Sequence, residues 1–287
     1  EIVIKDAFYL VALRNIKPLR RRAFGVEFFE TIAEIKAKRG LAYALERMDK
    51  SQPRRFGVLH IFSLLKNGNI AITLCMALKI VKLTDKNRKE VLSLSERILR
   101  RGGVVIGPSD TVYGIYANAT DEKAVKKIFK IKKRAPEKAL PIFVKDIAAA
   151  RRLAYIDDRK ARFLEKVWPG PATVVFHHKE KLPRVLTGGL NTIGIRIPAN
   201  PFLSELLARI DFSLAQTSAN ISGRAPILSI EELEGGELRK TKLVDLIVDG
   251  GELPNRSSTV VDFTRGEPAI LRVGIITKKE LDEALGR

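Results

Sequence analysis

From Leu78 onward the apolar positions follow two rhythms in alternation. Leu78-Lys-Ile-Val-Lys-Leu83 is a short strand pattern, and Val91, Leu94, Ile98 and Leu99 then recur at helical spacing. Thr84 suits the N-cap of that helix, because a hydroxyl there can accept an N–H of the first turn. Gly102-Gly103 closes it, since glycine takes the left-handed cap conformation cheaply. Val104-Val-Ile106 is a buried-type strand that runs into Gly107-Pro108. Asp121 starts the next helix, with Ala124, Val125, Ile128 and Phe129 on one face, and Asp146 caps another. Further strands are predicted over 141–144, 173–176, 192–197, 213–215, 243–248, 258–263 and 269–272. Further helices are predicted over 157–167, 201–209, 229–234 and 277–285. The expectation is an α/β domain built on a twisted open sheet with flanking helices. Strands follow one another without helices near the end, so the sheet should be mixed rather than all parallel.

Residues 1–75 lack this order. Short apolar runs are interrupted by Arg20-Arg21-Arg22 and Arg54-Arg55, and a helix over 28–43 is the one periodic stretch. The most apolar segment, 56–76, contains His60, Lys66, Asn67 and Asn69, which does not suit a membrane span of about 20 apolar residues. The acidic start at Glu1 does not suit a signal peptide. With 45% hydrophobic residues over 287, the chain can bury a core, which excludes wholesale disorder. Cys75 is the only cysteine, which excludes a disulfide scaffold and a multi-cysteine zinc site; the three histidines speak against a histidine-based metal site, and a reducing, cytoplasmic setting is expected. The formal charge of +19 attracts polyanions: nucleic acid, nucleotide phosphates or anionic lipid. It divides as +7 on residues 1–75 and +12 on 76–287.

Several common sites are missing. There is no P-loop, no dinucleotide-binding glycine fingerprint and no Gly-x-Ser-x-Gly elbow. His177-His178 beside Lys179 reads as a surface pair. Four other segments are unusual for plain scaffold. Pro108-Ser-Asp-Thr-Val-Tyr-Gly114 follows a buried strand, where sites of open α/β sheets gather, although a polar turn explains it equally well in isolation. Lys132-Lys-Arg134 with Lys138 ends a helix, where cations also favour the helix dipole. Gln216-Thr-Ser-Ala-Asn-Ile-Ser-Gly223 can present several donors to an anion or an adenine. Arg196 and Arg272 are strand-borne arginines. Facing a cleft, either would clamp a phosphate or carboxylate; facing solvent, neither carries function.

As an ordered set these segments resemble the threonylcarbamoyl-AMP synthase (YrdC-like) family. Pro108-Ser-Asp-Thr-Val-Tyr-Gly-Ile115 is similar to its Pro-Thr-Glu-Thr-Val-Tyr-Gly-Leu, and Lys132-x-Arg134 with Ser218-x-Asn220 to its Lys-x-Arg and Ser-x-Asn signature. Trp168-Pro-Gly-Pro171, Thr187-Gly-Gly-Leu-Asn-Thr192, Arg196-Ile-Pro198, Ser222-Gly-Arg224, Asp249-Gly-Gly251, Ser258-Thr-Val-Val-Asp262 and Leu271-Arg272 follow in the family's order. The resemblance covers about residues 78–276. It implies a YrdC-like mixed sheet with a basic concave cleft, and a catalytic domain over 76–287. Residues 1–75 are then read as an unrelated N-terminal extension, either upstream sequence read in frame or a basic RNA-binding arm.

The resemblance implies a nucleotidyltransferase that makes L-threonylcarbamoyladenylate and pyrophosphate from L-threonine, bicarbonate and ATP. The product feeds tRNA modification through downstream threonylcarbamoyl transferase machinery, in the cytoplasm, with no membrane involved. Lys132, Arg134, Ser218 and Asn220 are carried over as catalytic. Thr111, Arg196, Gln216 and Ser258 would contact threonine. Arg134, Lys138, Thr192, Ser218, Asn220, Pro226 and Arg272 would line the ATP side. Mg²⁺ would be held mainly by phosphates and water, with no protein metal site. The chain departs from the family at Asp110 (usually Glu), at Ala135-Pro136, at Phe143 (His in some members) and at Gln216-Thr217. The alternative reading is an RNA-binding YrdC-like protein without synthase activity; few aromatics suited to base stacking accompany the polar segments. A related domain of hydrogenase maturation comes with cysteine-rich modules, which this chain lacks.

Overall fold

Contacts divide the chain into two units, Ile4–Ala77 and a larger one running from Leu78 to Arg287 that also takes in Glu1–Val3. The computed structural model describes residues 8–12, 60–66, 69–75, 79–233, 238, 241–254 and 256–286. In the smaller unit, β1 (Phe8–Ala12), β2 (His60–Lys66) and β3 (Asn69–Cys75) form an antiparallel sheet in the order β1-β3-β2. Lys66 pairs with Asn69, so β2 and β3 are joined by two residues, Asn67 and Gly68. Asn-Gly is a strong hairpin signal. The apolar segment 56–76 thus contains a hairpin that its hydropathy did not reveal. The helix expected over 28–43 lies outside the described residues, as does Met76, the first residue of the domain expected over 76–287.

The larger unit is built on a ten-stranded mixed sheet among the described residues, in the order β13-β12-β8-β9-β7-β10-β6-β5-β11-β4. In chain order these strands are β4 (Lys79–Lys82), β5 (Val105–Gly107), β6 (Gly114–Asn118), β7 (Ile142–Phe143), β8 (Ala172–His177), β9 (Thr192–Arg196), β10 (Leu214–Ser218), β11 (Leu246–Asp249), β12 (Thr259–Asp262) and β13 (Ala269–Arg272). The helices are α1 (Arg88–Arg100), α2 (Glu122–Lys132), α3 (Ile147–Leu153), α4 (Asp158–Val167), α5 (Arg184–Thr187), α6 (Pro201–Arg209) and α7 (Lys278–Leu285). No helix among the described residues is long and apolar enough to cross a membrane.

Helix starts follow local chemistry. Asp121, Asp146 and Asp157 accept first-turn N–H groups of α2, α3 and α4, and Thr277 with Glu280 forms a capping box on α7. The cap expected at Thr84 is instead Asn87. The Asn87 Oδ1 accepts the Thr84 N–H at 2.8 Å, and its amide donates to Lys82 O. That closes a turn and delays α1 by one. The helix expected over 229–234 is a short 3-10 turn, Glu231–Leu233. The strand predicted over 213–215 runs on to Ser218, because its backbone stays paired with β6 as far as Gly114.

The two faces of the sheet are covered unequally. On one face Val105, Tyr116, Phe143, Leu214, Leu246 and Val248 pack against α1 and α6 through Leu92, Leu99, Phe202 and Leu206. The other face carries the larger cluster, with Ile106, Ile115, Ile142, Val174, Ile195 and Val261 packed with residues of α2 and α4. On the first face, the strands beyond Phe143 carry polar side chains.

Candidate functional site

Register explains where those polar side chains meet. Arg196 on β9 pairs with Phe143 on β7, and Thr173 on β8 pairs with Val260 on β12. Val260 in turn pairs with Arg272 on β13. The Val174–Ile195 pair puts Thr173 and Arg196 side by side one step further along β8 and β9. A row therefore crosses five strands: Phe143, Arg196, Thr173, Val260, Arg272. It passes from the helix-covered half of the face to the exposed edge. Arg196 is 2% exposed and Thr173 5%, whereas Arg272 is exposed.

Arg196 is held on several sides. Its Nε donates to Gly170 O at 2.9 Å, its Nη1 to Thr111 Oγ1 at 3.4 Å, and its guanidinium lies 5.5 Å from the Phe143 ring centre. Its Nη2 stands 2.5 Å from Asp110 Oδ1. The contact is a buried ion pair. The other Asp110 oxygen accepts the Ala199 N–H at 3.2 Å. Asp110, though shorter than the Glu usual in the family, reaches its arginine.

Thr111 is fixed by Ser109. The Ser109 hydroxyl donates to Val112 O at 2.6 Å, lies 2.9 Å from Thr111 Oγ1 and accepts the N–H groups of Thr111 and Val112. Tyr113 ties the same segment to the Asp249-Gly-Gly251 turn: its hydroxyl donates to Gly251 O and accepts from Gly250 N. Burial pushes the Tyr113 phenol up. At the edge, Arg272 donates through Nε and Nη2 to Ser258 O, and Nη2 also reaches Ser258 Oγ at 3.2 Å. Ser258 Oγ lies 3.1 Å from Thr173 Oγ1, which joins this pair to the row. Partial burial of its guanidinium against Ser258, and then the nearby charge of Arg196, lower the pKa of Arg272.

A second cluster sits where α2 ends and β10 runs out. Lys132 Nζ donates to Ser218 O, Asn220 O and Asn220 Oδ1 at 2.7, 2.9 and 2.8 Å. Ser218 Oγ donates to the same Oδ1 at 2.6 Å. Burial, and then the charge of Arg134, push Lys132 down to about 8. Arg134 gives Nε to Lys138 O and Nη2 to Ala139 O. That is two of its five donors, spent on shaping the turn after α2.

Of the expected residues, Thr111 with Arg196, Ser258 with Arg272, and Lys132 with Ser218 and Asn220 are in direct contact. Arg134 meets Lys138 only through its carbonyl. Gln216 is half-buried on β10 opposite Tyr116, and Thr192 opens β9 opposite His177; neither side chain is hydrogen-bonded to another expected residue. Pro226 is half-buried and follows the exposed turn at 222–224, next to Ile227, whose N–H is donated to Ala219 O. The His177-His178 pair is tied to backbone carbonyls of Thr264 and Leu190. Ser109, Thr173 and the support from Phe143 were not anticipated. Thr173 did carry a signal, a lone polar residue in the apolar run Ala-Thr-Val-Val-Phe.

A family model described as "Telomere recombination", covering the Sua5, YciO and YrdC proteins, matches residues 97–274. The chain belongs to this family. It is 34% identical over 209 residues to threonylcarbamoyl-AMP synthase of Pyrococcus abyssi, covering 72% of this chain and 61% of that protein. It is 35% identical over 205 residues to a putative threonylcarbamoyl-AMP synthase of Methanocaldococcus jannaschii, covering 71% and 95%. The chain thus spans less than two thirds of the first relative and nearly all of the second. The crystal structure of P. abyssi Sua5 complexed with L-threonine superposes with a TM-score of 0.67 at 33% identity, covering 72% of this chain and 61% of that one. The YrdC-like mixed sheet with flanking helices expected from the sequence is therefore the fold of this family.

Proposed function

We propose that this chain is a nucleotidyltransferase that makes L-threonylcarbamoyl-AMP from L-threonine, bicarbonate and ATP in the cytoplasm, for tRNA modification. One observation carries the reading most. Arg196 is a buried guanidinium whose Nη1 reaches Thr111 Oγ1 and whose Nη2 is ion-paired with Asp110, in a chain similar to one whose structure holds L-threonine. A guanidinium fixed in this way beside a threonine hydroxyl suits a substrate carboxylate.

In the proposed reaction the threonine amine attacks the carbon of bicarbonate, water is lost, and a carbamate forms. A carbamate oxygen then attacks the α-phosphorus of ATP; the bond to the β-phosphate breaks and pyrophosphate leaves. Arg196, Thr111, Gln216 and Ser258 hold threonine. Arg134, Lys138, Thr192, Ser218, Asn220, Pro226 and Arg272 line the nucleotide side of a basic concave cleft. Positioning and fixed positive charge supply the catalysis, since attacker and target are both anionic. Among the described residues no three His, Cys, Asp or Glu side chains converge as a metal site. Mg²⁺ belongs to the reading as part of the Mg-ATP substrate, held mainly by phosphates and water. Pyrophosphate release is expected to need both threonine and bicarbonate. Equal release without threonine overturns the reading.

A further inference from the structure

We propose that Lys132 is a positioning residue, whose ammonium clips the Ser218–Asn220 turn in place and makes no contact with the substrate phosphates. The inference rests on the synthase reading for its substrate, but the clip itself is independent of it.

The argument is one of counting. A lysine ammonium has three N–H donors, and Lys132 has three acceptors, Ser218 O, Asn220 O and Asn220 Oδ1, all within 2.9 Å. No proton remains for a phosphate oxygen. The residue is 2% exposed, so water cannot substitute for a lost partner. Its own carbonyl accepts the Ser222 N–H at 2.9 Å, so residue 132 holds the turn from both its side chain and its backbone. The Asn220 oxygen takes two donors, from Lys132 and Ser218, and its Nδ2 is turned to Arg224 O. The orientation of that amide is therefore set by its partners, and Lys132 supplies the stronger, charged one. A neutral amine has two donors and would leave one acceptor bare. The three acceptors are themselves neutral, and the nearby Arg134 adds charge of the same sign. Lys132 therefore adds positive potential beneath the turn as well as holding its shape. Arg134 shows the contrast, with only two donors committed to carbonyls.

The test uses the full chain, with Lys132→Met, Lys132→Arg, Asn220→Ala and the Met/Ala double variant. Affinities for ATP and AMP are measured by calorimetry, and amide exchange of residues 218–222 is followed without nucleotide. A clip predicts that Lys132→Met weakens ATP and AMP by the same factor, roughly tenfold. It predicts that the double variant is no worse than Asn220→Ala. Lys132→Arg should fail to rescue, because its donors sit on three separated nitrogens. The Ser222 amide should exchange faster in both Lys132 variants. A loss confined to ATP, losses that multiply in the double variant, or rescue by Lys132→Arg would mean direct phosphate contact. Unchanged exchange overturns the clip outright. A wild-type chain that binds neither nucleotide overturns the synthase reading instead, and the exchange measurement still decides the role of Lys132.

Discussion

Removing one partner from a buried ion pair costs more than the pair itself contributes, because a charge is left without compensation. Arg196 and Asp110 are such a pair, with side chains 3% and 11% exposed. Arg196→Ala should lower stability by about 3–5 kcal/mol, and Asp110→Asn in that background should recover part of it; urea denaturation reads both. Arg196→Ala should also abolish threonine binding by calorimetry, which Asp110→Asn cannot restore. Lys132 gives a pH dependence. Its folded pKa of about 8 lies below the ordinary 10.5. Below pH 8 both states hold the proton and the burial penalty is fully present. Between 8 and 10.5 the unfolded chain holds a proton that the folded chain has released, so this group's contribution to stability rises with pH. The gain of wild type over Lys132→Met across that window should be on the order of 3 kcal/mol; a flat difference counts against a buried lysine. Much of this site was legible as motif: Thr111, Arg196, Ser218 and Asn220 carry short polar or charged groups where strands end. Thr173 and Phe143 were not, because only the pairing of β7, β8 and β9 brings them beside Arg196.

Elements were legible in proportion to how local their causes are. Periodicity with the Asp121 cap placed α2, the Asp146 cap placed α3, and the helix expected over 157–167 is α4. The strand β6 was missed because its sequence, Gly-Ile-Tyr-Ala-Asn, has no alternation: four of its five residues are buried. Strand order was beyond reach, since β4 pairs with β11 and β8 with β12, partners distant in sequence. The edge of the sheet yields a prediction. β13 turns back at Gly274, where an added Cβ would lie 2.2 Å from Ser257 O and 2.5 Å from the Ser258 carbonyl carbon. Those are backbone atoms and cannot swing aside. Gly274 N–H also donates to Thr259 Oγ1 at 2.9 Å. Gly274→Ala should therefore push this turn off β12 and displace Ser258, the anchor of Arg272. The expected cost is about 1–3 kcal/mol, or a fall of roughly 2–4 °C in Tm per kcal/mol for a domain of this size. ATP affinity should fall with it. An unchanged Tm would show that β13 is not seated by this contact.

At the scale of the whole molecule, the division of contacts at Ala77 and Leu78 bears on how much of the chain the proposed chemistry needs. Both apolar clusters of the larger unit draw on described residues from Ile80 onward. Every residue assigned to threonine or nucleotide also lies after Met76. A chain of 212 residues, 76–287, is large enough to bury its own core. We predict that a chain beginning at Met76 folds with unchanged Tm and full threonine-dependent pyrophosphate release. A second truncation makes the prediction sharper. β4, Lys79–Lys82, is an end strand of the sheet and the parallel partner of all four residues of β11. Leu83 N–H also donates to Asp249 O at 2.7 Å, at the start of the Asp249-Gly-Gly251 turn that Tyr113 holds. Removing residues 1–83 would leave one side of β11 without its ladder and take away Val81 and Leu83, uncovering the α1–α6 layer on which they pack. That chain should melt at a clearly lower temperature and lose activity. Equal melting of the full chain and both truncations would mean that β4 adds nothing to the sheet. Loss of folding already at Met76 would mean that residues 1–75 complete the catalytic unit.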